Sequence, residues 1–148
     1  MNKHQPISLI GYRCGYGAKK TETGLGPDIL KNLKIENTLH TLGYQANWAD
    51  SRISTLKNDA KKHTNDQMVY SYCHMLHDQI ILHMQNGDFP LIFGGDHSMA
   101  IATWSAIAKQ LGPTKRLGLI WFDAHMDAHT TDTSPSNAYH GMPLSYLL

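Results

Sequence analysis

Leu117-Gly118-Leu119-Ile120-Trp121-Phe122-Asp123-Ala124-His125-Met126-Asp127 is the stretch that decides the reading of this chain. The apolar run over 117–122 has the length and composition of a buried strand. It passes straight into Asp, His and Asp at alternate positions. In extended backbone, alternate residues share one side. Asp123, His125 and Asp127 would then converge on a single point. Two carboxylates and one imidazole suit Mn²⁺ or a related divalent ion better than a soft-ligand metal, and the lack of a thiolate argues against structural zinc. The plainer alternative is a polar strand end that caps the next helix. Asp is a good N-cap, but a cap needs one Asp, not two Asp and a His.

The same design appears upstream. Phe89-Pro90-Leu91-Ile92-Phe93 reads as a buried strand that runs into Gly94-Gly95-Asp96-His97-Ser98. Pro90 is expected near its beginning, where no ladder bond is lost. Paired glycines permit a tight turn and a close backbone approach, which would set His97 at the top of the sheet beside a helix expected over 99–111. An ordinary strand-to-helix turn capped by Asp96 or Ser98 is the alternative. Ile7-Ser8-Leu9-Ile10 is a further short buried strand, followed by a glycine-rich loop over 11–26 that lacks an ordered phosphate-binding pattern. A helix is expected over 27–42, with Pro27 at its start, Gly43 past its end, and Ile29, Leu30, Leu33 and Leu39 as its buried stripe. Weak alternation over 44–49 suggests a strand, and 51–65 suggests a surface loop or short helix. A long amphipathic helix is expected over 66–86, with Val69, Tyr72, Cys73, Leu76 and Ile80 on one face. A last helix is expected to begin near Pro143. This strand–helix alternation implies an α/β fold: an open, mainly parallel β-sheet with helices on both faces. In such a sheet, ligands bind beyond the carboxyl ends of the strands, where both Asp/His clusters fall.

Composition narrows the function classes. With 148 residues, 41% hydrophobic and 17% charged, the chain suits one globular domain over 1–148. A net charge of +1, with no block of Lys and Arg, gives nucleic-acid binding no support. No apolar run is long enough to span a membrane and the start lacks a signal-peptide core, so a cytoplasmic protein is expected. Cys14 and Cys73 form no disulfide framework and are expected to be reduced thiols. His74 and His77 sit three apart on the long helix, close enough to share a metal or simply to form a solvated face.

Gly94-Gly95-Asp96-His97-Ser98, Asp123-Ala124-His125-Met126-Asp127 and His140-Gly141, in this order, resemble the ureohydrolase family of arginases and agmatinases. Gly24-Leu25-Gly26-Pro27-Asp28-Ile29-Leu30 resembles that family's loop and first helix. The resemblance implies an arginase-like three-layer α/β/α fold, incomplete in this chain, which would carry its N-terminal portion. It also implies two Mn²⁺ ions sharing a hydroxide that attacks a guanidino carbon, most simply turning L-arginine into L-ornithine and urea. His97 and Asp127 would bind the first ion, His125 the second, and Asp123 both. His140 would act with Asp127 in catalysis, as the donor of a proton to the leaving amine.

His129, Ser136 and Asn137 are the candidate contacts to the substrate's amino-acid end. Ser136 matches the family pattern, Asn137 is one residue out of step, and His129 either meets substrate or faces solvent. The loop before His140 looks more like an arginase's than an agmatinase's. The family also uses a later Asp-x-Asp pair; beyond Asp127 this sequence has only Asp132. The expectations are therefore an arginase, an agmatinase or other guanidino-acid hydrolase, or a truncated non-catalytic relative. A zinc deacetylase on a related sheet fits 94–98 less well. The partners implied are a small guanidino compound and, as in the family, other copies of the chain in a homo-oligomer.

Overall fold

The computed structural model describes residues 5–49 and 63–148. The loop or short helix expected over 51–65 lies mostly outside the described residues. At the centre is β1 (Ile7–Gly11), every residue of which is buried. It pairs in parallel with β2 (Ala46–Trp48) on one side and β3 (Phe89–Phe93) on the other, giving the order β2-β1-β3. Ile7 lies opposite both Ala46 and Phe89, which fixes the register across the sheet.

Alternation along β1 assigns its side chains to two cores. Ile7 and Leu9 meet Ala46 and, from α2 (Ile35–Thr41), the half-buried Ile35 and Leu39. Ile10 and the following Tyr12 point to the other face, against Met68, Tyr72, Leu76 and Ile80 of α3 (Asn65–Gln85) and Ala102 and Ala106 of α4 (Met99–Leu111). Helices therefore cover both faces of an open parallel sheet, as expected. Each fully buried Leu or Ile contributes about 1.5–3 kcal/mol. The α3 stripe falls where its 3.6-residue period puts it. Its start is a capping box: Thr64 Oγ1 accepts from Gln67 N–H at 3.3 Å, and Gln67 Oε1 accepts from Thr64 N–H at 3.0 Å.

Three expectations need correction. The helix over 27–42 is two helices, α1 (Gly26–Asn32) and α2, separated by Lys34 in the left-handed region at φ 54°. The break turns the stripe: Ile35 and Leu39 pack on the sheet, while Ile29 and Leu33 are 55% and 72% exposed. The run 117–122 joins no sheet among the described residues, and Ile120 and Phe122 are exposed. A strand apolar on both faces belongs inside a sheet with cover on both faces, and among the described residues none pairs with this run. Beyond Met142, only a short 3-10 turn (Pro143–Tyr146) forms in place of a helix.

Pro90 sits second in β3, yet costs no ladder bond. Phe89 N–H donates to Pro6 O, and Tyr12 N–H to Phe93 O. The β1–β3 ladder thus uses odd-numbered residues of β3, and the Pro90 nitrogen faces the free edge. Among the described residues, no helix is long and apolar enough to cross a membrane.

Candidate metal centre

The carboxyl ends of β1 and β3 form one rim; the loop leaving β3 brings His97 to it, and the segment after the run 117–122 brings Asp123 and Asp127. After β3 the chain makes a tight turn in which Gly95 lies against the loop after β1; a Cβ there would collide with the Cys14 carbonyl oxygen. The turn delivers His97 to the start of α4. The Ser98 hydroxyl does not cap that helix. Instead its N–H donates to Asp96 Oδ1 at 2.9 Å, and its Oγ is within 2.9 Å of the buried Tyr12 hydroxyl.

His97 meets the second cluster. Its Nδ1 lies 2.6 Å from Asp127 Oδ2 and 3.3 Å from Asp123 Oδ2. One ligand atom from each of the three residues falls within a 4.8 Å group, a spacing that one cation can span. Asp123 turns its other oxygen, Oδ1, to His125: 2.8 Å from the backbone N–H and 3.2 Å from Nδ1. The backbone is not the extended one expected here. Asp123 folds back on His125 N–H, and Asp127 adopts φ 49°. Asp127 is held there by its carbonyl, which accepts from Leu144 N–H at 2.9 Å. Convergence therefore comes from a bent loop and not from strand alternation. His125 is the outlier, its side chain 81% exposed. The Asp123 carboxyl is held below the usual range, first by the His125 backbone N–H, then by the His125 ring and the nearby imidazoles. Two adjacent carboxylates and an imidazole nitrogen are an oxygen-rich donor set that fits a divalent cation such as Mn²⁺.

Asp96 is buried, and its carboxylate bonds to backbone outside this cluster. Its Oδ2 accepts from Gly17 N–H at 2.9 Å, and the Gly17 carbonyl accepts from His140 N–H at 2.9 Å. The glycine-rich loop is thus a strut between Asp96 and the segment carrying His140. A cleft of about 860 Å³ gathers His97, Asp123, His125 and Asp127 with His129, Ser136 and His140. Asn137 is exposed, at φ 51°, and is not among the lining residues. His129 Nδ1 is 3.4 Å from Thr133 Oγ1, and Ser136 Oγ accepts from Ala138 N–H at 3.3 Å.

Sequence reasoning missed Trp121, whose ring stacks on His97 with centroids 4.9 Å apart. Its position two residues before Asp123 was the available signal. It also missed Gly17, hidden in a loop with many glycines. His74 and His77 both lean on Asp78, on the surface of α3 and apart from the cleft lining. Burial pushes the Cys14 thiol up to about 12 and raises that of Cys73, so neither supplies a nucleophile near neutral pH.

An open parallel sheet with a candidate His/Asp cation site beyond its carboxyl edge defines the class: an α/β protein with its candidate ligand site where such sheets place one. Sequence comparison gives the family: residues 5–148 match the model of the arginase family, and the chain belongs to it. It is 35% identical to the arginase of Bacillus caldovelox, over 95% of this chain and 48% of that protein. With the arginase of Staphylococcus aureus (strain MRSA252) it shares 33% identity over 99% of this chain and 50% of that one. The crystal structure of Bacillus subtilis arginase superposes with a TM-score of 0.81 at 31% identity, covering 95% of this chain and 46% of that chain. The chain thus spans about half the length of the relatives it matches.

Proposed function

We propose that this chain carries one part of a binuclear manganese site that hydrolyses the guanidino C–N bond of L-arginine to give L-ornithine and urea. The observation that supports this reading is the meeting of His97, Asp123 and Asp127 in the cleft that also holds His140. His97 and Asp127 would hold one ion, His125 the other, and Asp123 both. The two oxygens of Asp123, one turned to His97 and one to His125, suit that bridging place. When bound, the ions supply Lewis acidity and a water of lowered pKa.

The protein's own groups do the rest. The carboxylate-rich end of the cleft attracts a guanidinium cation. His140, tethered through its backbone to Gly17, would pass a proton from its imidazole to the amine nitrogen as the C–N bond breaks. His129 and Ser136, on the same cleft, would meet the amino-acid end of the substrate. Asn137 would reach it only after the loop shifts.

Calorimetric titration with Mn²⁺ tests the reading. The expected result is a saturable site that His97→Ala weakens by at least about tenfold, since changes beside a metal's ligands alone cost 10–100-fold. Binding that is absent, or indifferent to His97→Ala, would sink it. Urea release from L-arginine against agmatine then decides the substrate.

A further inference from the structure

Gly17 accounts for one use of the glycine-rich loop, the strut between Asp96 and the segment carrying His140. The rest of the loop folds around a second cavity. Its volume is about 300 Å³, and it shares no lining residue with the candidate metal cleft. Gly15 and Gly24 lie in its wall. A Cβ on Gly15 would collide with the Thr21 carbonyl, and one on Gly24 would lie 2.9 Å from the Arg13 carbonyl oxygen. Glycine at both places is what lets the loop close around the cavity.

Two side chains give the cavity its chemistry. Arg13 is only 11% exposed and is anchored by Asp28, whose Oδ1 accepts from its Nε at 2.7 Å. Asp28 is 40% exposed, so water screens the carboxylate more than the guanidinium. The cavity wall therefore keeps a positive bias. Tyr72, from α3, is fully buried, and its hydroxyl has no hydrogen-bond partner among the described residues. The charges that act on this hydroxyl are those of Cys14, Tyr16 and Arg13. Tyr16 and Arg13 line the cavity together with Tyr72, which places the hydroxyl beside that space. A buried donor without a partner calls for an explanation, and an anion in the cavity supplies one. A cation there would meet Arg13, and an apolar molecule would leave the hydroxyl unpaired. A carboxylate or phosphate oxygen accepts from both groups, in the stronger, charge-assisted form.

We propose that the cavity enclosed by Arg13, Gly15, Gly24 and Tyr72 is a binding site for a small oxyanion, a carboxylate or a phosphate, held by the Tyr72 hydroxyl and the charge of Arg13. The site is separate from the candidate metal cleft and stands whether or not the chain hydrolyses L-arginine.

Backbone amide NMR of the metal-free chain tests it. Inorganic phosphate and acetate are titrated separately, with ionic strength held constant by chloride. The expected result is saturable movement of the Gly15, Thr21 and Gly24 signals. Movement with phosphate alone assigns a phosphate site, with acetate alone a carboxylate site, and with both a general oxyanion site. Tyr72→Phe, which removes only the donor, weakens binding by about tenfold or more, the worth of a hydrogen bond to a charged group. Arg13→Gln weakens it at least as much. Lys20→Gln, at an exposed lysine of the same loop, leaves affinity within about twofold, because an exposed charge is screened. Circular dichroism checks each fold; if Tyr72→Phe is unfolded, the wild-type map and Arg13→Gln decide. The proposal is overturned by no saturable movement with either anion, by movement confined to the residues of the metal cleft, by unchanged affinity in a folded Tyr72→Phe, or by equal loss in Lys20→Gln.

Discussion

Both carboxylate oxygens of Asp96 are taken by backbone N–H groups, those of Gly17 and Ser98, so this buried acid organises loops around the cleft. The fit around it is tight. A Cβ on Gly17 would lie 2.7 Å from Asp96 Oδ1 and 2.8 Å from Ser98 Oγ. Gly17→Ala is therefore expected to cost about 1–3 kcal/mol, the range for overpacking, seen as a lower urea midpoint at unchanged slope. An unchanged midpoint would show that the strut yields freely. Tyr72 predicts the opposite sign. Its hydroxyl is buried with no hydrogen-bond partner among the described residues, and burial lifts its pKa to about 12. Tyr72→Phe should leave stability equal or higher; a loss of more than about 1 kcal/mol would mean that an ordered water satisfies the hydroxyl. At this scale, residue type and spacing pointed to the residues that the structure brings together: Asp and His at or soon after the ends of apolar runs marked His97, Asp123 and Asp127 as candidates. What they hid was the route. Asp127 reaches His97 through a left-handed turn that no period-two pattern encodes, and Trp121 reads like any other member of an apolar run.

Among the elements, α3 was legible because stripe and stop agree, while its cap was seen only in the structure. Thr64 and Gln67 close its first turn, and Gly87 follows its last with φ 86°. Thr64→Ala should cost about 1 kcal/mol of stability, the usual value of an N-cap side chain, measured by thermal or urea unfolding; an unaffected protein would show that the first turn contributes nothing to the fold. The break between α1 and α2 was not legible. Neither Leu33 nor Lys34 is a helix breaker, and the bend arises because Ile35 and Leu39 must face Ile7 and Leu9 across the sheet. Run 117–122 shows the converse limit. Its sequence specifies a strand, but a strand is completed by neighbours, and hydrogen bonds to a neighbour are not written in the run itself.

For the molecule as a whole, the end of the sheet opposite the candidate site has its own polar lock. The Ser8 hydroxyl donates to Asp88 Oδ2 at 2.6 Å, and His83 Nδ1 lies 3.0 Å from the same oxygen. The Asp88 carboxyl is held below the usual range, mainly by Ser8 and then by His83. A depressed carboxyl adds stability above its unfolded pKa, about 3.9, and the gain is lost as pH falls through the lower folded value. The gap between urea midpoints at pH 6 and pH 3 should therefore narrow in Ser8→Ala; an identical gap would mean that Asp88 titrates normally. The α/β class, the parallel strands and the two-sided helix cover were all legible from alternation and order, whereas the free edge of β3 was visible only once the strands had been placed. In that setting Pro90 takes on a different meaning. Its nitrogen points outward along the open border of the sheet, so one of the few donors another chain could grasp there is missing. In a crowded cell, newly made copies would find one another poor templates. The proline thus favours solubility over self-templated aggregation for as long as that border stays bare.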